Sequence, residues 1–336
     1  RGFFMRSFSQ ITDDNFDTAA LVLFGQQYHG NKVYGEFCDL LGRTPETVTS
    51  ISDIPFLPVE VFKTHVVKSG DWQEEVIYTS STTSGGAPSQ HFVKSKAHYK
   101  QVYEAGLERA YGSMEKYAVL ALLPSYLERS GSSLVAMAEG MIQKSGSAES
   151  GFYLHNHDDL FEALERLKET NTPVMLLGVT FGLLDFAESI STGRYGGHSF
   201  HYPKLRIIET GGMKGKRKEL IRPEVHHILK HCFPKSPIDS EYGMTELLSQ
   251  AYLKDSGKFE SPPWMRLYTR EISDPLAPPM RNGSRGALNV IDLANSHSCA
   301  FLSLSDQGQV FENGTFEIYG RLDRSDIRGC NLMVSL

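Results

Sequence analysis

The sequence predicts an α/β fold: a large layered domain built on a mainly parallel sheet, followed by a small antiparallel β subdomain. Three observations predict it. Strand-like and helix-like segments alternate from Tyr117 to Glu209, the pattern of βαβ units. From Gly286 onward the pattern changes to short β-like runs separated by turn residues, as in an antiparallel sheet. Between the N-terminal third and the alternating region stands a Ser/Thr/Gly-rich stretch, Tyr78 to Phe92, that cannot pack a core. The expected division is an α/β core over 1–285, a small β subdomain over 286–322, and a short tail over 323–336.

Each element follows from spacing. Asp13 to Leu41 reads as two helices, with Ala19, Val22 and Leu23 on one face and Tyr34, Phe37, Cys38 and Leu41 on another; Gly30 and Asn31 mark the break. Ile54 to Lys63 carries two prolines and is expected to be extended. Glu75 to Tyr78 reads as a strand and Ala97 to Tyr111 as a helix. Strands are predicted at 117–123, 152–154, 174–177 and 205–209, and helices at 132–144, 158–168 and 180–189. The helix at 158–168 shows Leu160, Leu164 and Leu167 on one face behind Asp158 and Asp159, acids that suit a helix N-terminus. Ala287 to Leu293, Cys299 to Leu304 and Thr315 to Tyr319 are the short β runs.

Composition narrows the function classes. The chain has 336 residues, 40% hydrophobic and 22% charged, with net charge −6 and pI near 6.1. An acidic balance argues against a nucleic-acid surface. The apolar run Val174 to Leu184 is too short for a membrane span and is broken by Gly178 and Gly182. Cys38, Cys232, Cys299 and Cys330 are widely spaced without a C-x-x-C, so neither a zinc site nor a disulfide framework is expected. A reducing cytoplasm is the expected location.

The chemistry begins at the Ser/Thr-rich stretch. Seven of its fifteen residues are Ser or Thr, and Gly85 and Gly86 follow them. Backbone N–H groups, hydroxyls and permissive dihedrals are what a loop needs to wrap an anion such as a polyphosphate. A flexible linker would show the same composition. Flanks that read as strand and helix favour the phosphate loop, although no Walker pattern is present. Four further stretches stand out. Glu209-Thr-Gly-Gly-Met-Lys-Gly-Lys ends a strand with glycines and a basic cluster. Glu241-Tyr-Gly-Met-Thr-Glu246 sets carboxylates, a Tyr and a Thr around one Gly. Leu304 to Gly308 reads as a strand-end turn carrying Asp306, and Gly320 to Gly329 as a charged turn. Each alone is ordinary turn chemistry.

Together, and in this order, they resemble the adenylate-forming superfamily of acyl-CoA synthetases, firefly luciferase and peptide-synthetase adenylation domains. The resemblance runs from Tyr78 to Gly329. Thr79, Ser80, Ser81, Thr82, Thr83, Ser84 and Gly85 match the loop that handles ATP phosphates. Tyr242-Gly243-Met-Thr245-Glu246 matches a Y-G-x-T-E motif, Asp306 the ribose-binding Asp, and Gly320-Arg321-Leu-Asp323 the hinge motif. That superfamily carries a C-terminal lid with a catalytic lysine. Here seven residues follow Gly329 and no lysine follows Lys258, so the lid is expected to be absent or vestigial. A Cys just after the hinge motif, at Cys330, looks like the acyl-protein synthetase family, the long-chain-fatty-acid–luciferin-component ligases, as do Ile54-Pro-Phe-Leu-Pro and Leu123-Pro-Ser-Tyr-Leu.

The resemblance implies a two-step ligase using ATP and Mg²⁺. A carboxylic acid, of fatty type, forms an acyl adenylate, and a cysteine thiol takes the acyl group for hand-over to a reductase or other acceptor. Glu246 is then the Mg²⁺ ligand and Thr245 reaches the α-phosphate. Tyr242 lies against adenine, Gly211 and Gly212 let the backbone approach it, and Glu241, Gly243 and Arg321 complete the nucleotide site. Lys214 is the candidate cation in place of the lid lysine, with Arg321 and Arg328 as competitors and a plain solvated basic run as the other reading. Cys330 is the candidate acyl acceptor; the plain reading is a packed tail cysteine. Two other functions stay open: an acyl- or aryl-CoA ligase of the phenylacetate–CoA ligase type, and a nucleotide-binding subunit without catalysis.

Overall fold

The computed structural model describes residues 7–80, 87–123, 131–154, 156–211, 220–254 and 257–322. Loop residues Ser81 to Gly86, Gly212, Lys214 and the tail with Asp323, Arg328 and Cys330 lie outside them.

The N-terminal pair is α1 (Phe16–Gly30) and α2 (Lys32–Leu40). The break falls at Asn31 as expected, because its buried side chain accepts from the Tyr34 N–H at 3.1 Å and caps α2. The two-proline segment is extended in its first half only. Only β1 (Leu57–Pro58) is a strand, and Val59–Lys63 winds into a 3-10 turn that buries Val59 and Phe62.

The hairpin β2 (Val76–Thr79) and β3 (Gln90–Val93) follows, paired antiparallel from Val76↔Val93 to Thr79↔Gln90. The Ser/Thr-rich loop therefore joins two strands, not a strand and a helix. His91 and Val93 are buried and Gln90 exposed, an alternation that makes this segment a strand. The helix comes next, as α3 (Lys96–Tyr111), capped by Ser95.

The alternating region is β4 (Ala118–Leu122), α4 (Ser133–Lys144), β5 (Gly151–Phe152), α5 (His157–Glu169), β6 (Val174–Gly178), α6 (Thr180–Ser191), β7 (Leu205–Glu209), α7 (Arg222–Cys232) and β8 (Ile238–Tyr242). Its strands lie parallel in the order β5-β4-β6-β7-β8. Successive residues of β4 and β6 enter opposite cores. Val119, Ala121, Met175 and Leu177 meet Val102, Leu107 and Met137 of α3 and α4. Ala118, Leu120, Val174 and Leu176 meet Leu160, Leu183 and Val225 of α5, α6 and α7. Both faces are covered by helices, which is why these strands read as continuous apolar runs.

Past β8 the pairing turns antiparallel through β9 (Ala251–Leu253), β10 (Phe259–Glu260), β11 (Met265–Arg270), β12 (Arg285–Asp292), β13 (Phe301–Val310) and β14 (Phe316–Arg321). All belong to one twelve-stranded mixed sheet, in which β10 bridges β9 and β14 and β1 pairs with β13. The α/β class holds. Antiparallel pairing starts at β9, earlier than Gly286, and the sheet is mixed rather than mainly parallel.

Candidate active site

The carboxyl ends of β7 and β8, where ligands bind in open α/β sheets, carry the first candidate side chains. Glu209 ends β7. It accepts from the Thr180 hydroxyl, from Gly211 N–H at 2.7 Å and from Ser240 Oγ at 3.0 Å, and His226 Nε2 meets the same Ser240 hydroxyl at 2.8 Å. Gly211 sits at φ +79°, the left-handed region that a side chain disfavours. That kink turns the chain back so that the Glu209 carboxylate binds its own main chain.

Tyr242 ends β8. Its ring packs 5.9 Å from Phe259 and 5.8 Å from Phe316, and its hydroxyl donates to Asp306 Oδ2 at 2.8 Å. Asp306 lies within β13 and not in a strand-end turn: it pairs with Arg321 of β14 beside a bulge at Gln307/Gly308. Arg321 Nε stands 3.6 Å from Asp306 Oδ1. Gly320 and Arg321 likewise belong to β14 rather than to a turn. The structure thus joins Tyr242, Asp306 and Arg321 from motifs far apart in sequence. Arg222, at the start of α7, adds a cation that sequence reasoning missed. Its guanidinium lies 4.6 Å over the Phe259 ring and Nη1 donates to the Ile318 carbonyl at 3.3 Å. Burial lowers its pKa, while Glu209, Tyr242 and Asp306 lie close enough to oppose that.

Asp306→Ala is expected to weaken ATP binding by about 1.5–3 kcal/mol, the worth of a hydrogen bond to a charged group. Calorimetry with ATP and with a 2′,3′-dideoxy analogue checks it; equal loss for both nucleotides would remove Asp306 from the ribose.

Glu246 is 5% exposed, so it is not a solvated surface acid. Burial raises its pKa, while a Ser89 hydrogen bond and the nearby Arg321 and Lys63 favour the ionised form. Ser89 belongs to the base of the Ser/Thr-rich loop: its N–H donates to Ser80 Oγ at 2.9 Å, and Ser80 N–H donates to the Ser89 carbonyl at 3.1 Å. Thr79 N–H donates to the Gly131 carbonyl at 2.8 Å. The loop's stem therefore touches the last residue of the Y-G-x-T-E motif. Behind this motif Asp292, fully buried, accepts from Leu248 N–H, Ser249 N–H and Ser249 Oγ at 3.0, 3.0 and 2.6 Å. Asn295 Nδ2 donates to the Glu246 carbonyl at 2.9 Å, and His91 Nδ1 to the Thr245 carbonyl at 2.8 Å. Burial pushes the His91 pKa down to about 4, so the ring is neutral near pH 7. Ser89, His91, Asp292 and Asn295 carry no motif of their own, and only the structure shows that they meet.

Glu241 does not join this group. Alternation along β8 sends it to the face opposite Tyr242, across from Tyr252 in register. Its carboxylate lies over Gly243, 2.4 Å from where a Cβ there would stand. Burial first, and Glu209 second, push the Glu241 pKa from 4.5 up to about 8. Between those values the folded chain holds a proton that the unfolded chain releases. The side chain therefore costs stability increasingly as pH rises from 4.5, in full above 8. Glu241→Gln is expected to stabilise the fold by on the order of 3 kcal/mol at pH 7 and by almost nothing at pH 4.5. Urea unfolding at both pH values checks it; a pH-independent difference would remove the buried proton.

Among the described residues no three His, Cys, Asp or Glu cluster as a metal site. The buried Glu246 carboxylate does fit Mg²⁺, which takes one or two carboxylates and leaves the rest to phosphate and water.

The fold defined by this sheet is that of the adenylate-forming ligases. An open conformation of a 2-hydroxyisobutyryl-CoA ligase in complex with 2-HIB-AMP and CoA superposes with TM-score 0.64 over 94% of this chain and 72% of that one, at 14% identity. A family model described as the acyl-protein synthetase LuxE matches residues 7–116. The chain is 26% identical over 334 residues to the long-chain-fatty-acid–luciferin-component ligase of Vibrio harveyi, and 24% identical over 339 residues to that of Aliivibrio fischeri. Each match spans 92% of this chain and 84% of the relative. The chain is thus a relative of the acyl-protein synthetases, a family of ligases. Among the described residues no helix is long and apolar enough to cross a membrane.

Proposed function

We propose that the chain activates a fatty acid with ATP and then carries the acyl group on its own Cys330. The observation that supports this most is the convergence of the loop stem, Thr245–Glu246, Tyr242 and Asp306–Arg321 on the carboxyl end of β8. In the first step a carboxylate oxygen attacks the α-phosphorus and pyrophosphate leaves. Thr245 hydrogen-bonds the α-phosphate. Asp306, already fixed by Tyr242 and Arg321, accepts from the ribose hydroxyls, and Gly211 lets the base lie close to the main chain. The loop 79–86 supplies N–H and hydroxyl donors to the phosphates. Mg²⁺, when bound at Glu246, supplies charge neutralisation for the leaving pyrophosphate. Lys214 is the proposed cation facing the reacting carboxylate; Arg222, near Tyr242 and Asp306, adds a cation on the nucleotide side. In the second step a thiolate attacks the acyl carbonyl, the thioester forms and AMP leaves with the electron pair.

Cys330 is favoured as acceptor because the other three cysteines are unfit. Cys38, Cys232 and Cys299 are buried. Burial pushes Cys38 up to about 12 and Cys232 to about 11, and raises Cys299 too, so none offers a thiolate at neutral pH. The fatty substrate and a reductase as recipient follow the relatives' names and family resemblance, and a cytoplasmic location goes with them.

The test is to incubate the protein with ATP, Mg²⁺ and labelled fatty acid, with and without CoA. Hydroxylamine-labile label on the protein without CoA is expected. Label appearing only on added CoA would make the chain an acyl-CoA ligase, and no activated acid at all would make it a nucleotide-binding subunit.

A further inference from the structure

We propose that His91 is a positioning residue of the adenylation site: it fastens the hairpin carrying the Ser/Thr-rich loop to the main chain of Thr245 and Glu246. The inference rests on the reading that those two residues act on the α-phosphate and its cation. His91 lies on β3, is 1% exposed, and has the Phe62 ring edge-on at 5.8 Å. Its Nδ1 reaches the Thr245 carbonyl at 2.8 Å, and its Nε2 stands 3.2 Å from Asn295 Oδ1. The Asn295 amide cannot be turned over without loss, because its Nδ2 donates to the Glu246 and Cys299 carbonyls at 2.9 and 3.1 Å. Both ring nitrogens therefore face acceptors.

A neutral imidazole has one N–H. The shorter contact takes it, so the ring is the Nδ1–H tautomer and holds the Thr245 carbonyl. Nε2 then presents a lone pair to an oxygen and contributes no second bond. One hydrogen bond from His91, with the Ser89 contact to Glu246 two residues earlier, sets the distance between the loop stem and the Thr245–Glu246 peptide. Displacements of about 1 Å in such supports cost up to a hundredfold in rate.

Two substitutions separate positioning from packing. The amide nitrogen of Asn falls near the place of Nδ1, and that of Gln near Nε2. His91→Asn keeps a donor for Thr245, whereas His91→Gln points its donor at Asn295; both lose the ring packed on Phe62. Carboxylate-dependent pyrophosphate exchange at saturating ATP is expected to fall about tenfold or more in His91→Gln and to stay within about threefold in His91→Asn. KM for ATP is expected to move less than about threefold in either. Equal rates in the two variants, whether both normal or both depressed, overturn the assignment while leaving the adenylation reading intact if the unaltered protein exchanges. No exchange by the unaltered protein overturns the reading and this inference with it. Imidazole ¹⁵N shifts of the unaltered protein give a check that needs no variant: a neutral ring protonated at Nδ1 is expected, and one protonated at Nε2 overturns the proposal.

Discussion

Glu246→Gln is expected to reduce carboxylate-dependent pyrophosphate exchange by on the order of a hundredfold or more, the scale of losing a charge-stabilising group in a closed site. The fold should survive. Gln has the shape of Glu and can still accept from Ser89, whose hydroxyl bonds this side chain. Burial raises the Glu246 pKa, which means the empty site bears a cost for keeping the charge inside. Removing that charge should leave the melting temperature unchanged or higher. Loss of activity combined with equal or greater stability separates a ligand role from a structural one. Near-normal exchange in Glu246→Gln would remove the metal assignment. Activity lost together with stability would make the residue a structural one.

The fold was largely legible because it is written in periodicity. β4, β6 and β7 are short apolar runs between helical repeats, and they form the parallel block at nearly the expected bounds. What escaped were elements whose identity depends on partners. β3 has four residues, Q-H-F-V, behind a loop of turn-forming composition. Nothing local says that it returns along β2. β9 and β10 are three and two residues long, below what alternation can reveal. The two-proline segment shows the opposite error: Ile54 and Leu57, each before a proline, are extended as expected, but the expectation ran on past Pro58, where a 3-10 turn buries Val59 and Phe62.

The candidate site was legible where one residue's chemistry suffices and obscure where it needs a neighbour from elsewhere. Tyr242, Glu246 and Asp306 announce themselves through motif order, and the fold brings Tyr242 to Asp306 across 64 positions of sequence. Glu241 sits inside the same motif, but strand alternation turns it to the other face, which motif reading alone ignores. His91 and Thr245 lie 154 positions apart and meet only through the fold. A lone buried histidine in a strand is most often a core residue, so no signal in the sequence would have singled it out.

Cys330→Ser is expected to retain acyl-adenylate formation and to lose all hydroxylamine-labile acyl-protein. The two halves of the reaction use different atoms. On the proposed function, exchange of pyrophosphate depends on the nucleotide site around β8 and β13, whereas the thioester depends only on a sulfur brought to about 3–3.5 Å from the adenylate carbonyl. The remaining cysteines cannot substitute for it. Cys232 Sγ lies 3.6 Å from the Ala187 carbonyl and Cys299 Sγ 3.5 Å from the Phe301 carbonyl, each as a buried thiol donor, and Cys38 is sealed between α2 and the core. A serine can make the same donations at these places, so Cys232→Ser and Cys299→Ser should still be acylated, at a stability cost of about 1–3 kcal/mol for the extra buried hydroxyl. A serine at 330 attacks far more weakly, and any oxygen ester it forms resists hydroxylamine at neutral pH, so the assay separates it from a thioester. Mass spectrometry of the trapped acyl-protein locates the label. Thioester persisting in Cys330→Ser, or label mapping to Cys38, Cys232 or Cys299, would move the acceptor elsewhere, while normal exchange in the same variant would keep the adenylating half in place.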